Sequence, residues 1–182
     1  MKRTILCLLL ITGCSRKVEL PVMNTVPEFS LIESSTREMR NQDLAGKVWI
    51  ADFIYTSCGG FCPLMTAKMR KLQDTLPKDI RLVSFSVDPE NDSPHVLAAY
   101  AHEYGADPER WFFLTGDKHE LYTLSKEGFK LPVDDTDGTE IDPITHSSRF
   151  TLVDAQGRIR GYYSMDEEGE LARLIRDAQA LL

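Results

Sequence analysis

Two cysteines stand four residues apart in YTSCGGFCPLMTAKM, at Cys58 and Cys62, with Pro63 directly behind the second and apolar residues at helical spacing after that. Thiolate sulfur does two kinds of chemistry: it attacks disulfides, and it binds soft metal ions such as Cu(I). A cysteine at a helix start gains thiolate character, because the unpaired N–H groups there stabilise an anion. The three intervening residues, Gly59, Gly60 and Phe61, distinguish the pair from a C-x-x-C motif. The two glycines let the loop fold so that both sulfurs converge on one point.

Two sulfurs rarely complete a metal site, and the third donor is sought among four histidines. His95 and His102 lie seven apart on a helix face of mixed composition, and His119 opens another helix; a solvated surface role suits each. His146, in DPITHSSRF, stands just ahead of a predicted strand, in a loop able to fold back beside the cysteines. Its position alone fits a ligand about as well as a capping or surface role. Met65 and Met69 are thioethers, but they continue through Leu72 and Leu76 as one apolar stripe, which assigns them to the core. The acidic run VDDTDGTEIDPI places Asp135, Asp137 and Gly138 at the third, fifth and sixth positions of a calcium loop. That register puts Val133 and Ile144 at the first and twelfth, where oxygen ligands are required, so calcium is not supported.

The elements that must position these residues follow from periodicity. KVWIADFIY (47–55) is a near-continuous apolar run, as expected of a buried central strand, and it leads straight into Cys58. A helix starts at or next to Cys62 and runs to Pro77. IRLVSFSVD predicts a second strand, DSPHVLAAYAHEYG a helix ended by Gly105, and RWFFLTG a third strand followed by a helix from about 117 to 126. SRFTLVDAQGRIRGYYS reads as a hairpin, and DEEGELARLIRDAQALL as a closing amphipathic helix. This order is that of a thioredoxin-like α/β sandwich with an N-terminal extension and a late β-hairpin. Asp88 ends the second strand; capping the following turn is its first reading, and support of the cysteine site is the other.

The chain of 182 residues is long enough for one domain with a real core. Its start, MKRTILCLLLITGC, has a basic pair, an apolar run too short to span a bilayer, and small residues before a cysteine. ITGC resembles the lipobox of bacterial lipoproteins, which implies a signal peptide over 1–13 and an acylated Cys14. The expected organisation is then a polar tether over 14–26 and the folded domain over 27–182, held to a membrane in the bacterial cell envelope, on the periplasmic side. Cys7 leaves with the leader, so Cys58 and Cys62 remain as the thiols; a bridge between them closes too small a loop to be a structural staple. Removing Lys2 and Arg3 leaves 19 basic against 28 acidic residues, a formal charge of −9. Such a surface repels phosphate backbones, which argues against nucleic acid.

In DFIYTSCGGFCP, SFSVDPENDSP before a helix, FFLTG and THSSRFTLVDAQGRI, the chain resembles the Sco/SenC family of copper-binding assembly proteins for cytochrome c oxidase. The family's Cys-x-x-x-Cys-Pro signature falls on Cys58, Cys62 and Pro63, and its downstream metal-binding histidine on His146. The resemblance implies a metallochaperone that holds Cu(I) or Cu(II) with Cys58, Cys62 and His146 and serves the CuA centre of the oxidase's copper-bearing subunit. A second reading makes the same cysteines a redox-active pair, a thiol-disulfide reductase acting on the client's cysteines and itself recharged by an exported thioredoxin-like reductant; the two roles are compatible. Against a general reductase, the place of the thioredoxin cis-proline falls near Arg149, with Pro143 too far upstream. Tyr55 and Ala51 argue against a peroxiredoxin, which wants Thr or Ser and Pro at those places.

Overall fold

The computed structural model describes residues 19–136 and 143–182. In chain order its strands and helices are β1 (Asn24–Thr25), β2 (Ser30–Glu33), β3 (Glu38–Arg40), β4 (Trp49–Ile54), α1 (Cys62–Thr75), β5 (Arg81–Ser86), α2 (Pro94–Glu103), β6 (Trp111–Thr115), α3 (Lys118–Thr123), β7 (Val133–Asp134), β8 (Thr145–His146), β9 (Arg149–Val153), β10 (Arg158–Ser164) and α4 (Glu170–Ala180). The apolar run read as a central strand is β4, with all six residues buried. It pairs in parallel with β5, which pairs in parallel with β6; on its other side it pairs antiparallel with β9 of the predicted hairpin. The eight-stranded sheet has the order β1-β10-β9-β4-β5-β6-β2-β3, the mixed arrangement of a thioredoxin-like sandwich.

Period-two alternation along β4 divides two chemistries between the faces. Phe53 stacks on its register partner Phe85 at 5.1 Å, and Phe129 meets both rings, which fills one face with aromatic core. On the other face Asp52 lies opposite Ser84 and accepts its hydroxyl proton at 2.6 Å, while the Trp111 indole N–H donates to the same hydroxyl at 3.0 Å.

The N-terminal extension is where the structure adds most to the sequence reading. Residues read as tether include β1, which pairs with β10, and the buried Val26. The Arg160 guanidinium donates to the carbonyls of Leu20 and Pro21 and, at 2.7 Å, to the buried Asp154 carboxylate. The chain then crosses to the far edge, where β2 and β3 form a hairpin beside β6. On the way Pro27 packs so closely on Gly128 that a Cβ there would sit 2.8 Å from the proline ring. These strands are two to four residues long, too short for local periodicity to reveal them, and β1 and β2 also find partners far along the chain, in β10 and β6. The expected leader and Cys14 lie outside the described residues, as do Asp137 and Gly138 of the acidic run; Val133 and Ile144, its ends, are buried.

Candidate metal centre

The buried β4 delivers the chain into the loop that carries Cys58, and the loop ends in α1. Cys62 is the first residue of that helix, after Phe61 as N-cap, with Pro63 supplying the fixed φ suited to a first turn. Neither Gly59 nor Gly60 has a positive φ, so the loop does not draw on a conformation reserved for glycine. Both glycines are exposed, so the loop presents backbone rather than side chains to solvent at these two positions.

His146 lies in β8, where it pairs with Val133 of β7. Its Nε2 is 2.9 Å from Cys62 Sγ, and its Nδ1 is 3.3 Å from the Ser147 carbonyl. An N–H on Nδ1 directed to that carbonyl leaves the Nε2 lone pair facing the sulfur, which is the tautomer a metal ligand requires. Two aromatic rings hold the imidazole in place: Phe61 at 4.7 Å and Tyr55, edge-on, at 5.6 Å between centroids. The donor atoms of Cys58, Cys62 and His146 all lie within 4.8 Å of one another, and among the described residues this is the one such group of His, Cys and acidic side chains. Metal–sulfur and metal–nitrogen bonds run about 2.0–2.3 Å, so one ion spans donors at such separations with small adjustment.

All three are buried: Cys62 completely, Cys58 and His146 to 6% and 7% exposure. Burial pushes the Cys62 thiol well above its ordinary pKa, and the adjacent Cys58 thiol and the charge of Asp52 push in the same direction. The expected gain of thiolate character at the helix start is therefore overridden in the metal-free protein. A soft cation that takes the proton's place restores the balance by supplying the positive charge that the dry site lacks.

His95, His102 and His119 are exposed, and Met65 and Met69 are fully buried in the core. Asp88 accepts from the Asn91 side chain at 2.8 Å, and its carbonyl receives the N–H groups of Asn91 and Asp92, which is the turn-capping role of its first reading. The carboxylate that reaches the cysteine loop is Asp92, which sequence reasoning passed over. It accepts from the backbone N–H and hydroxyl of Thr56, two residues before Cys58, and from Ser86. Tyr55 and Phe61 were also missed as partners of the histidine, although an aromatic on either side of Cys58 is visible in the sequence.

The sequence pattern of the SCO1/SenC family matches residues 19–181. A SCO1/SenC family lipoprotein from Bacillus anthracis has a crystal structure that superposes with a TM-score of 0.81 at 34% identity, over 88% of this chain and 96% of that one. The structure of BsSco, a member of the Sco family of cytochrome c oxidase assembly proteins in which a disulfide switch has been identified, matches with a TM-score of 0.79 at 34% identity, over 90% of this chain and 97% of that one. A Stutzerimonas stutzeri protein named for copper binding is 32% identical over 148 residues, 79% of this chain and 71% of its own.

Proposed function

This chain belongs to the SCO1/SenC family, and from that premise we propose that it is a copper metallochaperone. Cys58 and Cys62 serve as thiolate ligands and His146 as imidazole ligand, and the client is the copper-bearing subunit of cytochrome c oxidase. The observation that carries the reading is the convergence of two sulfurs and one ring nitrogen in a single buried pocket. Two thiolates favour Cu(I), and the nitrogen extends the site to Cu(II). The copper-binding name of the Stutzerimonas relative and the oxidase-assembly role given for BsSco support the cargo and the client.

The same pair supports a redox role, for which the disulfide switch of BsSco is the precedent. Two thiols of Cys58 and Cys62 would give up two protons and two electrons to a client disulfide, leaving one disulfide here and two thiols on the client. A reductant of the thioredoxin type then restores the pair. Copper binding and disulfide formation compete for the same sulfurs, which gives the test. Reduced protein lacking residues 1–14 is expected to bind one copper ion, with sulfur-to-copper charge-transfer absorption for Cu(II). Oxidised protein, verified free of thiols, is expected to bind at least about a hundredfold more weakly, since two of three ligands are gone. Equal affinity in the two forms would overturn the ligand assignment.

The lipid anchor at Cys14, and with it a place in the cell envelope, is the remaining part of this reading. It rests on the leader and ITGC, and the Bacillus anthracis relative is itself a lipoprotein. Among the described residues no helix is long and apolar enough to cross a membrane. Mass spectrometry of membrane-extracted protein is expected to find an acylated N-terminal Cys14; an unmodified peptide running through Cys14 counts against it.

A further inference from the structure

The three donors differ in how they are held. Cys62 is fixed by the first turn of α1, and His146 by the β7–β8 pairing and its two aromatic neighbours. Cys58 sits on the loop that leads from β4 into α1, at a position that is neither strand nor helix. The side of that loop nearest β4 is tied across the fold to the turn between β5 and α2. Asp92, completely buried, receives the Thr56 backbone N–H at 3.1 Å, the Thr56 hydroxyl at 2.5 Å and the Ser86 hydroxyl at 2.6 Å. Ser86 in turn accepts the Asp88 N–H at 3.1 Å, and the Asp92 N–H donates to the Asp88 carbonyl, so the carboxylate is itself rigidly placed. Among the described residues no Lys, Arg or His forms an ion pair with it. A buried carboxylate held only by neutral donors is costly, and its donors include both the backbone N–H and the hydroxyl of a residue two before a ligand.

We propose that Asp92 is a positioning residue for the metal centre: through Thr56 it sets where Cys58 Sγ stands relative to Cys62 and His146. The proposal deepens the copper reading and rests on it for one of its two readouts. The other, the equilibrium of the Cys58–Cys62 dithiol with glutathione, needs no metal.

The test uses Asp92→Ala, Asp92→Asn, Thr56→Val and the double variant Thr56→Val/Asp92→Ala, each checked for folding by its thermal midpoint. Asp92→Ala is expected to weaken Cu(II) binding about tenfold or more, the usual scale for losing a group that orients a ligand, and to shift the charge-transfer band. It is also expected to change the dithiol–disulfide equilibrium several-fold. Asn keeps an oxygen for Thr56 and offers its amide to the Ser86 oxygen, so Asp92→Asn is expected within about threefold of the parent. Thr56→Val removes one hydroxyl at nearly constant volume and is expected to reproduce part of the loss, with the double variant no worse than Asp92→Ala alone, because both break one linkage. A lower thermal midpoint with unchanged copper affinity, spectrum and dithiol equilibrium would make Asp92 purely structural and sink the proposal, as would additive effects. If Asp92→Ala does not fold, Thr56→Val decides. If the parent binds no copper, the functional reading fails, and the dithiol equilibrium still decides the role of Asp92.

Discussion

His146→Ala is expected to lose Cu(II) binding by more than about a hundredfold while disulfide exchange by Cys58 and Cys62 stays close to that of the parent. Cu(II) favours nitrogen and a fuller coordination shell, so the loss of the one nitrogen among three donors removes a bond it cannot spare. Cu(I) tolerates two-coordinate thiolate and is expected to remain bound, more weakly. The geometry sharpens the expectation: the ring Nε2 already faces Cys62 Sγ at 2.9 Å, and the Ser147 carbonyl stands 3.3 Å from Nδ1, where it can accept an N–H. Equilibrium titration of reduced protein with each oxidation state, and the intensity of the charge-transfer band, measure the effect. His102→Ala, at an exposed position away from the site, controls for general histidine loss. Unchanged Cu(II) affinity and spectrum in His146→Ala would remove the histidine from the centre and leave the dithiol reading in possession of the site.

How much of this was legible beforehand depends on whether the determining contacts are local. The strand before Cys58 and the helix after Cys62 are written in short-range patterns, an apolar run and a Pro followed by a 3.6-residue stripe, and the structure has both. The late hairpin is equally local. His146 is 84 residues from Cys62, and its position in the chain left it undecided between a ligand and a surface role; family resemblance singled it out and the fold brings it to the sulfur. Asp92 lies 36 residues from Thr56 and inside a polar run that reads as an ordinary turn, so nothing nearby marks it as buried. The first strand escapes for the same reason, since Asn24 and Thr25 find Ile159 and Arg158, while β2 and β3, a local hairpin, are too short to show a period. The raised Cys62 thiol was misjudged because the sequence shows a helix start but not how dry it is.

Dryness also governs Asp52. This carboxyl is wholly inside the sheet, its Oδ1 bonded to Ser84 and its Oδ2 buried without a hydrogen-bond partner. Burial raises its pKa from the ordinary 3.8 to about 7, against the opposing pull of the Ser84 hydroxyl. Between those values the folded protein holds a proton that the unfolded chain has released, so stability falls as pH rises through the window. The contribution is full below about pH 4 and lost above about pH 7, and a displacement of this size corresponds to about 4 kcal/mol. Asp92, also raised by burial, adds a slope of the same sign, while Asp154, held low by Arg160 and Arg158 despite its burial, opposes it. The comparison must therefore be between the parent and Asp52→Asn at each pH, where these common terms cancel. In urea unfolding of metal-free, reduced protein, Asp52→Asn is expected to be roughly equal to the parent or slightly weaker at pH 4.5, because its amide N–H groups inherit the unpaired place of Oδ2. At pH 8 it is expected to be more stable by about 1–3 kcal/mol, the cost of the buried charge less that of the unpaired amide. A parent–variant difference that does not change between the two pH values would mean that Asp52 ionises in the fold as it does in water, through a partner or solvent path that its burial denies.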